Sequence, residues 1–121
     1  MFDGVDLEDS WVLGWRFDSA SNQLIFNLDV SLWQGHQHYS KPLPDEWTCY
    51  KHGRLVFDQV SKVEGLSPME SVKYTVDHDG SIDYGNIEGF RKVGDDQYNF
   101  GGDFGEVIVA CSGVCLEIGD V

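Results

Sequence analysis

Asp77, Asp79, Ser81 and Asp83 alternate along one short stretch, and Glu88 stands twelfth counting from Asp77. Oxygen donors at positions one, three, five, seven and twelve are the spacing with which an EF-hand loop surrounds calcium, a hard cation held by carboxylates. The sixth position of such a loop must turn sharply and needs glycine; here it is Ile82, a β-branched residue that resists that backbone. Tyr84 fills the eighth position, where an aliphatic residue is usual, and the flanks alternate as strands do. The stretch therefore reads as an acidic hairpin tip, with Asp77, Asp79 and Asp83 as candidate binding carboxylates.

A second set of residues has the chemistry of metal ligands. His36-x-His38 would point both imidazoles the same way on an extended segment, and Cys49-x-x-His52 adds a thiol and a third ring. His36, His38, Cys49 and His52 are thus the candidate metal ligands. Against this, Cys49 and His52 fall on opposite faces of a regular strand, and a bulge is needed to bring them together. The plainer reading is two solvated loop histidines and a buried thiol.

Other chemistry is thinner. Gly101-Gly102-Asp103-Phe104-Gly105-Glu106 contains the Asp-Phe-Gly triplet that binds magnesium in kinases, without the glycine loop or catalytic loop that must accompany it. It reads as a glycine-rich turn. Asp45-Glu46 and Asp95-Asp96 are adjacent carboxylates in turn sequences, where solvation is expected rather than acid–base work. No Gly-x-Ser-x-Gly, His-Glu-x-x-His or P-loop motif occurs, so no catalytic residue is proposed and no cofactor is expected. Among the aromatics, Trp33 falls opposite the apolar face of its segment, and Tyr39 and Trp47 flank the long irregular stretch 34–46. Exposed rings of this kind suit a binding surface for sugars or proteins.

The elements that must position these residues are strands. Only two alanines occur, while valine and the aromatics are plentiful. Trp11, Leu13, Trp15 and Phe17 alternate, as do Leu24, Phe26, Leu28, Val30 and Leu32. With a turn at 18–23, pairing Phe17 with Leu24 sets Trp15 opposite Phe26 and Leu13 opposite Leu28, and all the apolar residues reach one side. Ile25 and Trp33 then lie on the other, polar side. A two-residue turn at Ser112-Gly113 similarly pairs Val109 with Leu116 and sets Cys115 away from Cys111. The segment Trp47–Phe57 is expected as a strand with a bulge near His52-Gly53. Val72, Tyr74 and Val76 pair with Ile82 and Tyr84 around a three-residue loop, His78-Asp79-Gly80. Ser67-Pro68-Met69-Glu70 has the capping-box pattern of a short helical turn. The expected fold is an all-β, antiparallel sandwich or barrel of about 8–9 strands with at most one helical turn. It is expected to form a single domain over 1–121.

Composition narrows the partners. Eight Lys and Arg against 21 Asp and Glu give a formal net charge of −13. Phosphates would repel such a surface, which argues against nucleic acid and anionic membranes. The first residues are acidic rather than basic-then-apolar, and three cysteines make no paired framework, so a cytoplasmic setting is expected.

The run Cys49-Tyr50-Lys51-His52-Gly53-Arg54-Leu55-Val56-Phe57 is similar to a pattern in small, uncharacterised bacterial all-β proteins. So is the stretch from Asp79-Gly80 through Asp83-Tyr84-Gly85-Asn86-Ile87 to Gly102-Asp103-Phe104-Gly105-Glu106. Some of those proteins resemble immunity proteins, which block toxins in the producing cell. The resemblance supplies no site residue. Together with the charge, it makes a small acidic binding protein with a basic protein partner the leading expectation. The candidate contacts are Asp77, Asp79 and Asp83 at one tip and Asp95 and Asp96 at another. The alternative is a small-molecule or carbohydrate-binding module using Trp33, Tyr39 and Trp47, and after it a metal-dependent enzyme. Either a monomer or a homodimer fits.

Overall fold

The computed structural model describes residues 2–42, 44, 48–78 and 80–119. Ten strands occur in it: β1 (Val5–Asp18), β2 (Gln23–Leu32), β3 (Cys49–Asp58), β4 (Lys62–Glu64), β5 (Thr75–Val76), β6 (Ile82–Asp83), β7 (Glu88–Val93), β8 (Gln97–Gly102), β9 (Gly105–Ala110) and β10 (Gly113–Ile118). They pair antiparallel throughout. One four-stranded sheet has the order β1-β2-β3-β10, the other β4-β9-β8-β7, and β5-β6 is a separate hairpin. The all-β antiparallel class expected from the alternation is what the chain adopts. The helical content among the described residues is one 3-10 turn, Met69–Ser71.

The two sheets share one core. Leu24, Phe26, Leu28, Leu55 and Phe57 of the first pack with Phe100, Phe104, Val107 and Val109 of the second. Phe57 stacks on Phe100 with ring centroids 5.6 Å apart, and Phe26 meets Phe100 edge-on at 5.4 Å. Such offset and edge contacts satisfy the ring quadrupoles while burying large apolar areas.

The β1–β2 register is as the alternation requires at its turn end, with Phe17 opposite Leu24 and Trp15 opposite Phe26. It then departs. Val12, not Leu13, lies opposite Leu28, because one extra residue enters β1 between Val12 and Gly14. This bulge reverses the parity of the strand. Val12 becomes a fully buried core residue, while Trp11 is carried to the outer face opposite Asp29. A wider irregularity precedes it, where residues 7–10 bow away between the pairs Asp6–Ser31 and Trp11–Asp29. Buried Ser10 ties this bow down: its Oγ donates to Asp6 O at 2.7 Å and accepts from Ser31 N–H at 3.0 Å.

Several expectations are corrected. The last two strands do not form a hairpin. β9 pairs with β8 and β4, β10 pairs with β3, and the chain changes sheets at Ser112. Both alternating sets do face the core, yet at the corner Cys111 N–H bonds Asp96 O and Ser112 N–H bonds Asp58 O, one partner from each sheet. β3 has no bulge at His52-Gly53, and its ladder with β2 is continuous. Ile25 is not exposed; it is buried at 3% beside Val56 at 4%. The helical turn begins after Pro68, and Ser67 makes no cap to it. Of the set Val72, Tyr74, Val76, Ile82 and Tyr84, expected on one face, Val76 and Ile82 pair and, like Tyr74, are exposed, whereas Val72 is buried in the core and Tyr84 packs against it.

Candidate functional site

The β5–β6 hairpin carries the candidate residues Asp77 and Asp83, and Thr75, Val76 and Ile82 of its strands are exposed. Its two strands pair Thr75 with Asp83 and Val76 with Ile82. Asp77 N–H reaches Ser81 O at 2.9 Å, which closes the three-residue loop the sequence predicts. Gly80 holds φ +89° there, a conformation that glycine adopts without steric cost.

This hairpin is tethered to the irregular part of β1. Tyr84 N–H donates to Val12 O at 2.7 Å, and Val12 N–H donates to Gly85 O at 2.8 Å. Trp11 bridges to Asn86. On one side the rings of Trp15 and Tyr84 meet edge-on at 5.1 Å. On the other, the hairpin stands over the outer face of the first sheet and leaves a cleft of about 310 Å³. Trp11 and Leu13 from β1, Asp29 from β2, and Thr75, Asp77, Ser81, Ile82 and Asp83 from the hairpin line it. The β1 bulge creates this site, since regular alternation would turn Trp11 inward with Trp15.

The cleft joins carboxylates to apolar residues, and among the described residues no Lys or Arg lines it. Asp83 is only 9% exposed. Its Oδ1 accepts the Gly85 N–H at 3.0 Å. Asp77 is exposed and accepts the Ser81 hydroxyl at 3.2 Å. Asp79 lies outside the described residues. The ion pairs Arg16–Asp18, Arg54–Glu117 and Lys62–Glu64 lie elsewhere.

The other candidates are dispersed. Asp95 and Asp96 are exposed in the β7–β8 turn, where Asp96 neighbours Cys111 and Asp58 rather than the hairpin. His36 and His38 lie side by side with rings 5.6 Å apart, and His38 N–H donates to His36 Nδ1 at 3.0 Å. Cys49 is buried beneath Ser40, while His52 is exposed on the opposite side of β3. Among the described residues no three His, Cys, Asp or Glu converge as metal ligands, neither these nor the acidic hairpin. Cys111 and Cys115 are both free thiols. Burial raises the thiol of each, and nearby carboxylates add to it, so neither is held as a ready thiolate.

Trp33, just past the end of β2, is 57% exposed. It joins Phe2, Val5, Leu7 and Phe90 in a second, shallower groove of about 410 Å³. Tyr39 is instead half-buried against the core, and Trp47 lies outside the described residues. Trp11, Leu13, Asp29 and Thr75 were not evident as site residues from spacing. The available signal was Gly14, since a glycine within a strand marks a bulge.

Comparison with protein-family models, curated proteins and solved structures finds no match. The described helical content includes no helix long and apolar enough to cross a membrane.

Proposed function

We propose that this chain is an acidic binding protein for a basic protein, of the inhibitor or immunity type, and that the β5–β6 hairpin carries the contact. The observation behind this reading is the pairing of a −13 chain with an exposed hairpin whose exposed carboxylate, Asp77, forms no ion pair among the described residues. Exposed carboxylates at a protruding tip attract a basic surface at long range and steer its approach. Asp95 and Asp96 extend the same field from the β7–β8 turn.

Affinity capture from the native host lysate, followed by reconstitution with the purified candidate, tests this. One near-stoichiometric basic protein should bind at low salt and weaken steeply as salt rises, because screening shortens the reach of exposed charges to about 10 Å at 0.1 M. Asp77→Lys should weaken the reconstituted complex at least roughly tenfold, as expected when a like charge faces a basic partner. A partner whose affinity ignores both salt and this substitution would overturn the reading.

The groove at Trp33 favours a second reading, a small-molecule module. A saturable change in tryptophan emission with a sugar or other neutral ligand, abolished by Trp33→Ala, would support it over the first.

A further inference from the structure

We infer that the free edge of β10 is the contact through which two copies of this chain join, β10 against β10 antiparallel about a two-fold axis at Leu116. The inference goes beyond the partner reading above and uses a different surface. An open sheet edge offers a row of unpaired N–H and C=O groups, and proteins close such edges with short strands, charges, bulges or covering segments. Three of the four edges of the two sheets are closed in these ways. β1 is irregular and covered: Val12 exchanges backbone bonds with Tyr84 and Gly85, and Trp15 N–H donates to Met69 Sδ at 3.3 Å. β4 has three residues, of which Lys62 and Glu64 are charged. β7 carries Glu88, Arg91 and Lys92, and its register shifts between Glu88 and Arg91. β10 differs. Its six residues pair with β3 without a shift, and among the described residues no strand pairs with its other side.

What fits this edge is a second β10. Gly119 N–H donates to His52 O at 2.8 Å, which sets the phase of the β3–β10 ladder. Backbone bonds alternate along an antiparallel pair, so Gly113, Cys115 and Glu117 bond to β3 while Val114, Leu116 and Ile118 direct N–H and C=O outward. These three are spaced evenly about Leu116. A two-fold axis there sets Leu116 opposite Leu116 of the second copy and Val114 opposite Ile118, and each outward group meets its complement. Side-chain parity is kept across the seam. Val114, Leu116 and Ile118 are only partly buried against the core, whereas Phe57 and Leu55, opposite the first two, are fully buried. A second copy continues that apolar row and covers it. On the outer face Cys115 stands opposite Glu117 of the second copy. Glu117 is already paired with Arg54, so β10 brings no unpaired charge to the seam. Contacts of this self-complementary kind close at two copies.

Sedimentation of the full chain over a concentration series in reducing buffer tests this. A monomer–dimer equilibrium is expected. It should tighten with added salt, since screening lessens the repulsion between two chains of net charge −13. The amides of Val114, Leu116 and Ile118 should exchange slowly with solvent in the dimer and quickly on dilution. Cys115→Glu sets like charges opposite each other twice across the seam and should weaken the dimer on the order of tenfold. Cys115→Lys, at the same exposed position, faces Glu117 of the second copy and should leave the dimer as tight or tighter. Damage to the fold would act on both alike, so the difference in sign belongs to the seam. Oxidation of Glu117→Cys by copper-phenanthroline should link the introduced thiol to Cys115 of the second copy, which stands opposite it in a close pair. A monomer at every concentration up to about 1 mM would overturn the inference. So would a dimer indifferent to both Cys115 substitutions. Edge amides protected only in complex with a different protein would assign the edge to that protein and overturn the second copy as its occupant.

Discussion

Ser10 shows how one hydroxyl holds an irregular strand in place. It is fully buried in the bow of β1, where it caps Asp6 O and receives Ser31 N–H. Asp9 reinforces the same bow, its N–H donating to Asp6 Oδ1 and its Oδ2 accepting the Ser31 hydroxyl at 3.3 Å. Ser10→Ala leaves the Ser31 N–H without its acceptor in a water-poor place. The expected cost is about 1–3 kcal/mol of stability, read from urea unfolding. A loss under about 0.5 kcal/mol would mean that water or another acceptor replaces the hydroxyl. Nothing in the local sequence announces Ser10, because a serine between Asp9 and Trp11 looks like any polar strand position. Its role depends on Ser31, which only the pairing of β1 with β2 brings near. Asp83 is a similar case. Its spacing from Asp77 pointed to an exposed ligand oxygen, whereas the Thr75–Asp83 pair is turned into the cleft, and Asp83 is buried there.

At the scale of elements, strand alternation was the reliable signal and strand pairing the unreliable one. β1, β2 and the β5–β6 hairpin follow from local periodicity and turn chemistry, because both partners in each pair are adjacent in sequence. β9 and β10 look equally like a hairpin, and their inward residues are those expected. The alternation of side chains cannot say which neighbour supplies the backbone bonds. Gly53 is a comparable lesson. In the sequence it suggests a bulge, but the β2–β3 ladder runs through it unbroken. The glycine is there for space: a Cβ would come within 2.7 Å of Glu117 O on β10 and 3.0 Å of Val30 Cγ2. Gly53→Ala must push β3 and β10 apart. It should cost about 1–3 kcal/mol, the range for overpacking a close contact. Gly113→Ala, with nothing within 4 Å of the added carbon, is the matched control and should be far milder in thermal unfolding.

For the whole molecule, charge acts in two opposite ways. A net charge of −13 repels itself and weakens the compact state. Added sodium chloride should therefore raise the midpoint of thermal unfolding between low ionic strength and about 0.5 M, as screening shortens the repulsion. The same salt should weaken association with a basic partner. Stability and binding thus move in opposite directions in one titration, which separates loss of binding from loss of fold. A midpoint independent of salt would show that the acidic groups lie too far apart to repel appreciably.

The change of sheets at Ser112 has a consequence for how the chain is made. Strands β4 to β9 all lie in sequence between β3 and the strand that borders it, so Leu116 reaches Leu55 only after the whole second sheet has been synthesised. During translation the free edge of β3 stays open, with Leu55 and Phe57 beside it. Such an edge can pair with another chain, and contacts between distant segments are slow to form. The period before β10 arrives is when a nascent copy is most open to pairing with another, and when a chaperone would have most to protect.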